Sequence, residues 1–240
     1  MLTNDLVMNI AATIVAFALS LIWLRINDFF AHRGWISSSL SRKIIHIGTG
    51  PLYVITWLLY RDTPSARFLA ALIPLAITLQ FVLVGLGLWR DPSAVEAMSR
   101  SGDRREILRG PLYYGIVFIV LTLIYWKSSP TGVVALMLLC GGDGLADVMG
   151  KRFGTRRLPW SERKTWAGSL SMFLGGWLFS MALLGIFIAL GVFKGSLLDY
   201  LPAVTVISFA GTAIESLTLN DLDNLTVPLT AIILGQFLFK

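Results

Sequence analysis

Apolar residues run along this chain in long unbroken blocks, with neither the alternation of a half-buried strand nor the single stripe of a soluble amphipathic helix. Eight blocks stand out: Leu6 to Leu24, Ile44 to Tyr60, Phe68 to Trp89, Pro111 to Trp126, Thr131 to Val148, Gly168 to Phe193, Leu201 to Leu219 and Leu225 to Phe239. A helix needs about 20 residues to cross roughly 30 Å of hydrocarbon, so each block predicts a membrane helix. The second, fourth and eighth are short, and the eighth also suits a half-inserted helix. Pro51, Pro111, Pro130 and Pro202 are expected in first turns, where a missing N–H removes no helical hydrogen bond. Pro74 falls inside the third block and predicts a kink, which membrane helices tolerate when neighbours satisfy the freed carbonyl. The first block follows Asp5 rather than Lys or Arg and is long enough to span, so it reads as a retained helix and not a signal peptide. No Arg- and Ser-rich transit segment stands before it, which implies a prokaryotic or already processed chain.

Composition turns this pattern into a class. Hydrophobic residues make up 55% of the 240 and charged residues only 14%, too few ions to cover a globule in water. No repeat, low-complexity tract or Pro/Gly-rich linker divides the chain, and no polar stretch exceeds about 25 residues, too short for a domain of its own. The expectation is an all-α, polytopic integral membrane helical bundle of about eight (seven to eight) transmembrane helices, a single membrane-embedded domain over residues 1–240. Its solvent is the lipid bilayer.

The net charge is +6, but in so hydrophobic a chain basic residues mark topology, and no nucleic-acid partner is expected. The connections after the first, third and fifth blocks hold fifteen Lys and Arg, Arg100 among them, against four after the second, fourth and sixth. The odd connections are therefore expected on the cytoplasmic face, or the stromal face in a plastid. The connection after the seventh block belongs to that face yet carries Asp221, Asp223 and Asn224 in place of bases. Cys140 is the lone cysteine, which excludes an intramolecular disulfide, and His32 and His46 are too few for a structural zinc site.

Candidate chemistry concentrates between Cys140 and Ser169. Counted from Thr131, Asp143 lies roughly 18 Å and Asp147 roughly 24 Å along a helix, both in the inner part of the bilayer and one turn apart on one face. Two carboxylates there repel unless a cation lies between them, and a divalent metal bridging a polyphosphate would serve. Neutralisation by a neighbouring Arg or Lys is the structural alternative. Gly141, Gly142, Gly144 and Gly150 permit close approach by a ligand or by another helix, and both readings stay open. Lys151, Arg152, Arg156 and Arg157 follow; the last two read as topology markers. Lys164 precedes Gly168 and Ser169 at a helix start, where free N–H groups favour anions.

Arg42, Lys43 and His46 enter the second block on one helical side, His46 also suiting a satisfied helix-end histidine. Glu215, near the inner end of the seventh block, reads as a cap or an arginine partner. Asp223 and Asn224 suit either an N-cap or the completion of a metal or nucleotide site. The soluble P-loop, a complete protein-kinase set and the zinc-protease helix motif are all absent.

Five stretches together resemble phytol and farnesol kinases, within a wider group of CTP-dependent polyprenol kinases that includes dolichol kinase. They are Arg42-Lys43-x-x-His46, Arg109-Gly110-Pro111-Leu112-Tyr113-Tyr114-Gly115, Gly141-Gly142-Asp143-Gly144-x-Ala146-Asp147, Lys164-x-x-Ala167-Gly168-Ser169-x-Ser171-Met172-Phe173 and Glu215-Ser216-x(5)-Leu222-Asp223-Asn224-Leu225-Thr226-Val227-Pro228. The resemblance runs from about Arg42 to Pro228 and is most specific from Gly141 to Phe173. It implies phosphoryl transfer from a nucleoside triphosphate, typically CTP, to a prenyl alcohol such as phytol, geranylgeraniol or farnesol. Such chemistry needs Mg²⁺, cations for the transferring group and a hydroxyl held in line. On that reading Asp143, Asp147 and Lys164 are catalytic, and Asp143, Asp147 and Asp223 are metal ligands. Arg42, Lys43, His46, Lys151, Arg152, Gly168, Ser169 and Asn224 bind nucleotide, and the alternative that one of the aspartates is instead the base accepting the hydroxyl proton stays open.

Phosphatidate cytidylyltransferases share a helix entry like Lys164-Thr165-Trp166-Ala167-Gly168, but their late His-Gly-Gly and Asp-Arg-x-Asp segments are missing. CDP-alcohol phosphotransferases place Ala-Arg where Ala146-Asp147 stands here. A transporter predicts polar residues through the full membrane depth, whereas these acids gather near one face.

Overall fold

The computed structural model of the protein describes residues 2–99, 101–217 and 222–239, so Arg100, Asp221, Lys240 and the end of the seventh apolar block lie outside it. The described chain forms α1 (Leu2–His32), α2 (Ser38–Thr56), α3 (Ala66–Leu86), α4 (Pro92–Met98), α5 (Gly110–Ile124), α6 (Pro130–Met137), α7 (Asp143–Phe153), α8 (Trp166–Ala189), α9 (Leu197–Glu215) and α10 (Asp223–Leu238). One antiparallel hairpin, β1 (Arg157–Leu158) and β2 (Ser161–Thr165), departs from the all-helical expectation. Pro159 and the exposed charges of Glu162 and Arg163 suit a short edge ribbon better than a helix.

Six stretches among the described residues are long and apolar enough to cross a bilayer: Asn4–His32, Ala66–Leu86, Arg104–Ile124, Pro130–Phe153, Trp166–Ala189 and Leu197–Glu215. The protein is thus polytopic and built for a membrane. The second and eighth blocks are helical but fall outside this set. Polar Arg42, Lys43 and His46 occupy the first half of α2, and α10 has only 16 residues.

Helix starts correct part of the proline reading. Ser37 Oγ accepts from Leu40 N at 3.2 Å and starts α2 well before Ile44, so Pro51 lies inside the helix and not in its first turn. A capping box of Ser196 and Asp199 starts α9 early and places Pro202 inside it as well. Pro111 and Pro130 do stand at the beginnings of α5 and α6. Pro74 lies inside α3, where Thr78 Oγ1 donates to its carbonyl at 2.6 Å.

The chain divides into two compact units. The first takes the chain up to Ile45 with Leu59–Ile124. Its α3 and α5 meet where a Cβ on Gly115 would stand 3.1 Å from Thr78 Cβ, and Phe81, Val84 and Ile107 form a buried core. Asn9, fully buried in α1, donates to Thr63 Oγ1 and accepts from Arg61 N, both at 2.8 Å, which satisfies a polar group inside an apolar block.

The second unit takes His46–Leu58 and the chain from Tyr125 onward. Its centre is the stretch Pro130–Phe153, of whose apolar window 72% is buried, against 17% in Asn4–His32. Between α6 and α7 this helix passes through one π-turn at Leu138–Gly142. Such turns are uncommon and gather at functional sites. The glycines let neighbours close on it: a Cβ on Gly141 would stand 2.7 Å from Phe179 Cγ, and one on Gly142 would stand 2.9 Å from Met172 Sδ. Helix packing therefore accounts for these two.

Candidate active site

The second unit brings together acids that lie far apart in the chain. Asp143 opens α7 directly after the π-turn, Glu215 closes α9, and Asp223 opens α10. One carboxylate oxygen from each lies within 4.8 Å of the others. Spacing of that order is what a bound cation requires, so the group can coordinate a metal ion. Glu215 is 3% exposed, and its Oε2 is buried with no hydrogen-bond partner among the described residues. An orphaned buried carboxylate oxygen fits an oxygen-seeking cation.

Lys164 stands among these acids. Its Nζ donates to Glu215 Oε1 and lies 3.4 Å from Asp223 Oδ2. The hairpin delivers it: Arg157 pairs with Thr165, Lys164 N donates to Ser161 Oγ at 3.1 Å, and Trp160 Nε1 donates to Ser216 Oγ at 3.1 Å beside Glu215. Burial pulls the Lys164 ammonium toward its neutral form. The Glu215 charge and hydrogen bond, then the Asp223 and Asp143 charges, more than offset that and hold its pKa above the ordinary lysine value.

His46 joins from α2. Its Nε2 lies 3.2 Å from Leu139 O, a carbonyl of the π-turn, and 3.4 Å from Asp143 Oδ2. Both neighbours are acceptors, so Nε2 carries a proton. A Cβ on Gly144 would run into the Ile47 side chain and stand 3.2 Å from His46 Cδ2, so the close approach of α2, chiefly of Ile47, explains the glycine beside Asp143.

Asp147, one turn beyond Asp143, accepts from Lys151 Nζ at 2.9 Å and is not part of the carboxylate group. The Arg152 guanidinium lies over the Phe153 ring at 5.5 Å. Gly168 is enclosed by α7, with a Cβ there 3.2 Å from Ala146 O, and its N–H is taken by the Thr165 cap at 3.1 Å. Ser169, in the same first turn of α8, keeps a buried hydroxyl without a partner among the described residues. Asn224 N donates to Asp223 Oδ1 at 3.1 Å. Arg42 and Lys43 belong to the first unit. There Arg42 donates to Glu96 O at 2.8 Å and lines a cavity of about 800 Å³ with Arg90 and Arg104.

Glu215 is the member that the sequence reading left outside the metal group, and its charged partner is a lysine rather than an arginine. The signal was available: a carboxylate at the inner end of a membrane helix asks for a cation as strongly as Asp143 does.

A polytopic membrane protein with three acids and a lysine converging near helix ends has the equipment of a lipid-modifying enzyme that handles phosphate. Comparison with known proteins narrows the class. Over 238 residues the chain is 37% identical to the probable phytol kinase 1, chloroplastic, of Glycine max, covering 98% of this chain and 79% of that protein. Over 239 residues it is 35% identical to phytol kinase 1, chloroplastic, of Arabidopsis thaliana, covering 99% and 79%. It is 38% identical over 232 residues to the farnesol kinase, chloroplastic, of the same plant, covering 95% and 73%. No family model matches the chain, and no solved structure matches it. At this identity and coverage the chain belongs to the phytol and farnesol kinase family.

Proposed function

We propose that this protein is a lipid alcohol kinase that moves a phosphoryl group from CTP to the hydroxyl of an isoprenoid alcohol such as phytol, geranylgeraniol or farnesol. The observation that carries the reading is the convergence of Asp143, Glu215, Asp223 and Lys164 from four separate elements in a member of this family. Magnesium held by the three carboxylates would neutralise the triphosphate and steady its developing charge.

The chain's own side chains supply the rest. Lys164 is a contact for the transferring phosphate, with Lys151, Arg152 and the Ser169 hydroxyl on the remaining phosphate oxygens, joined by Asn224 at the start of α10; Gly168, its N–H taken by the Thr165 cap, serves by letting α7 and α8 close together. His46 steadies Asp143 through its proton. With Asp143 committed to the cation, Asp147 is the carboxylate left to accept the alcohol proton, and the Lys151 hydrogen bond at 2.9 Å orients it. Nucleotide binding by Arg42 and Lys43 rests on the sequence resemblance alone. CTP as the base of choice rests on family resemblance.

The bound alcohol reaches the site sideways from the bilayer, its chain lying along apolar helix faces. The reading takes residues 1–240 as one working domain with its active face cytoplasmic, or stromal in a plastid, following the basic connections. It takes α2 and α10 as membrane-embedded too, completing eight helices. Purified protein given CTP, Mg²⁺ and a panel of phytol, farnesol, dolichol and phosphatidate tests the function. CDP and an alcohol monophosphate are expected. Pyrophosphate with a CDP-linked lipid would make it a cytidylyltransferase, and solute flux in liposomes without nucleotide turnover would make it a transporter.

A further inference from the structure

Lys164 spends its ammonium on the very carboxylates that are spaced for a metal. It donates to Glu215 Oε1 and lies 3.4 Å from Asp223 Oδ2, so two of the three acids already face a positive charge. Fully ionised, the three acids carry three negative charges and the ammonium offsets one. What stays unmet is Glu215 Oε2, buried in a residue 3% exposed and without a partner among the described residues. That oxygen is where a second cation finds an acceptor.

The backbone of Lys164 is tied down by strand pairing, by the bond to Ser161 Oγ and by the neighbouring Thr165 cap, so only its flexible four-carbon stem is free to move. We propose that Lys164 is the resident cation of the Asp143, Glu215 and Asp223 group, expelled when a divalent ion enters and turned onto the phosphates that arrive with the ion. The inference rests on the metal role proposed above. Its physical basis is that an ammonium and a divalent ion competing for the same carboxylate oxygens repel at a few ångströms, while a triphosphate offers the ammonium an equally good acceptor. The exchange does two things. It keeps three clustered acids, Glu215 buried and Asp143 and Asp223 half-buried, from repelling each other in the metal-free protein, and it couples ion and nucleotide so that each raises the affinity for the other by the same factor.

Manganese without nucleotide is the probe, titrated by electron paramagnetic resonance into detergent-purified protein. Lys164→Met is expected to bind Mn²⁺ at least ~10-fold more tightly than the natural protein, because the competing charge is gone. Lys164→Arg keeps the charge and is expected to stay within about two-fold of it. In the unaltered protein, acylation of the Lys164 amine at fixed pH, read by mass spectrometry, is expected to rise on adding Mn²⁺. That second measurement decides alone if Lys164→Met fails to fold. Equal or weaker Mn²⁺ binding by folded Lys164→Met, or labelling that Mn²⁺ leaves unchanged or lowers, overturns the exchange while the metal reading stands. Mn²⁺ binding in neither the natural protein nor Lys164→Met removes the metal reading and the exchange together.

Discussion

Replacing Glu215 by glutamine keeps the side chain's shape and removes its charge, which separates a metal ligand from a structural ion-pair partner. Breaking a buried pair typically costs about 3–5 kcal/mol, because the abandoned charge has nowhere to go. Here Lys164 keeps Asp223 at 3.4 Å and is 22% exposed, so it is not stranded. Glu215 Oε2 has no partner among the described residues, so burying this carboxylate already opposes folding and its loss returns part of that penalty. The two offsets bring the expected destabilisation to about 1–2 kcal/mol, a fall in Tm of roughly 2–8 °C for a chain of this size. Turnover should fall far more. Losing one of three ligands to the ion that steadies the triphosphate should lower kcat about 100-fold or more, equivalent to ~2.7 kcal/mol of transition-state stabilisation. Thermal unfolding in detergent, followed by the emission of the eight tryptophans, is read beside CDP formation on the same preparation. A Glu215→Gln protein that melts much earlier yet keeps near-normal kcat per folded molecule would mean that Glu215 only anchors the hairpin. A stable, fully active variant would remove the carboxylate group as the catalytic centre.

The membrane helices were legible because about 20 apolar residues in a row have one physical use, and the hydropathy pattern marks where hydrocarbon begins and ends. It marks helix ends poorly. The hydrogen-bond ladder of α1 runs on through Arg25, Asn27 and Asp28 to His32, where Asn27 Nδ2 bonds Trp23 O, although the apolar block stops at Leu24. The Ser-rich opening of α2, followed by Arg42 and Lys43, is invisible to hydropathy for the same reason, and so is α4, which is too short and polar for its capped start at Asp91 to stand out. In the site, Asp143, Lys164 and Asp223 could be read singly from depth and helix-start chemistry. Their meeting could not, because it depends on how α7, α9, α10 and the hairpin pack, information that no local spacing carries. Asp143 and Asp147 share a helix face as expected, yet the partner that completes Asp143's group comes from α9 and not from the next turn.

Gly50→Ala should destabilise the second unit by about 1–3 kcal/mol, since its Cβ would be forced onto buried Cys140, 2.8 Å from that residue's Cβ, and Cys140→Ala should restore only part of the lost Tm. In a Cys140→Ala background, a cysteine placed at Thr155 should label only from the cytoplasmic side and one at Ser129 only from the opposite side; labelling of both from one side would defeat the single-face site. Asp143→Asn and Asp147→Asn should part in kind. Asp143→Asn removes a charge from the three-acid group, so most turnover should be lost with only partial rescue at high Mg²⁺. Asp147→Asn gives up a pair with Lys151, whose side chain is 75% exposed, so stability should hardly change. If Asp147 accepts the alcohol proton, its kcat should fall while the KM for CTP stays put, because proton acceptance is needed only in the transition state. The falling kcat should also lose the acidic limb of its pH profile, since that limb reports the protonation of the base. An Asp147→Asn enzyme that raises the KM for CTP and leaves kcat and its pH profile intact would assign Asp147 to holding Lys151 against nucleotide phosphate, and would leave the base to be sought among the groups around Asp143.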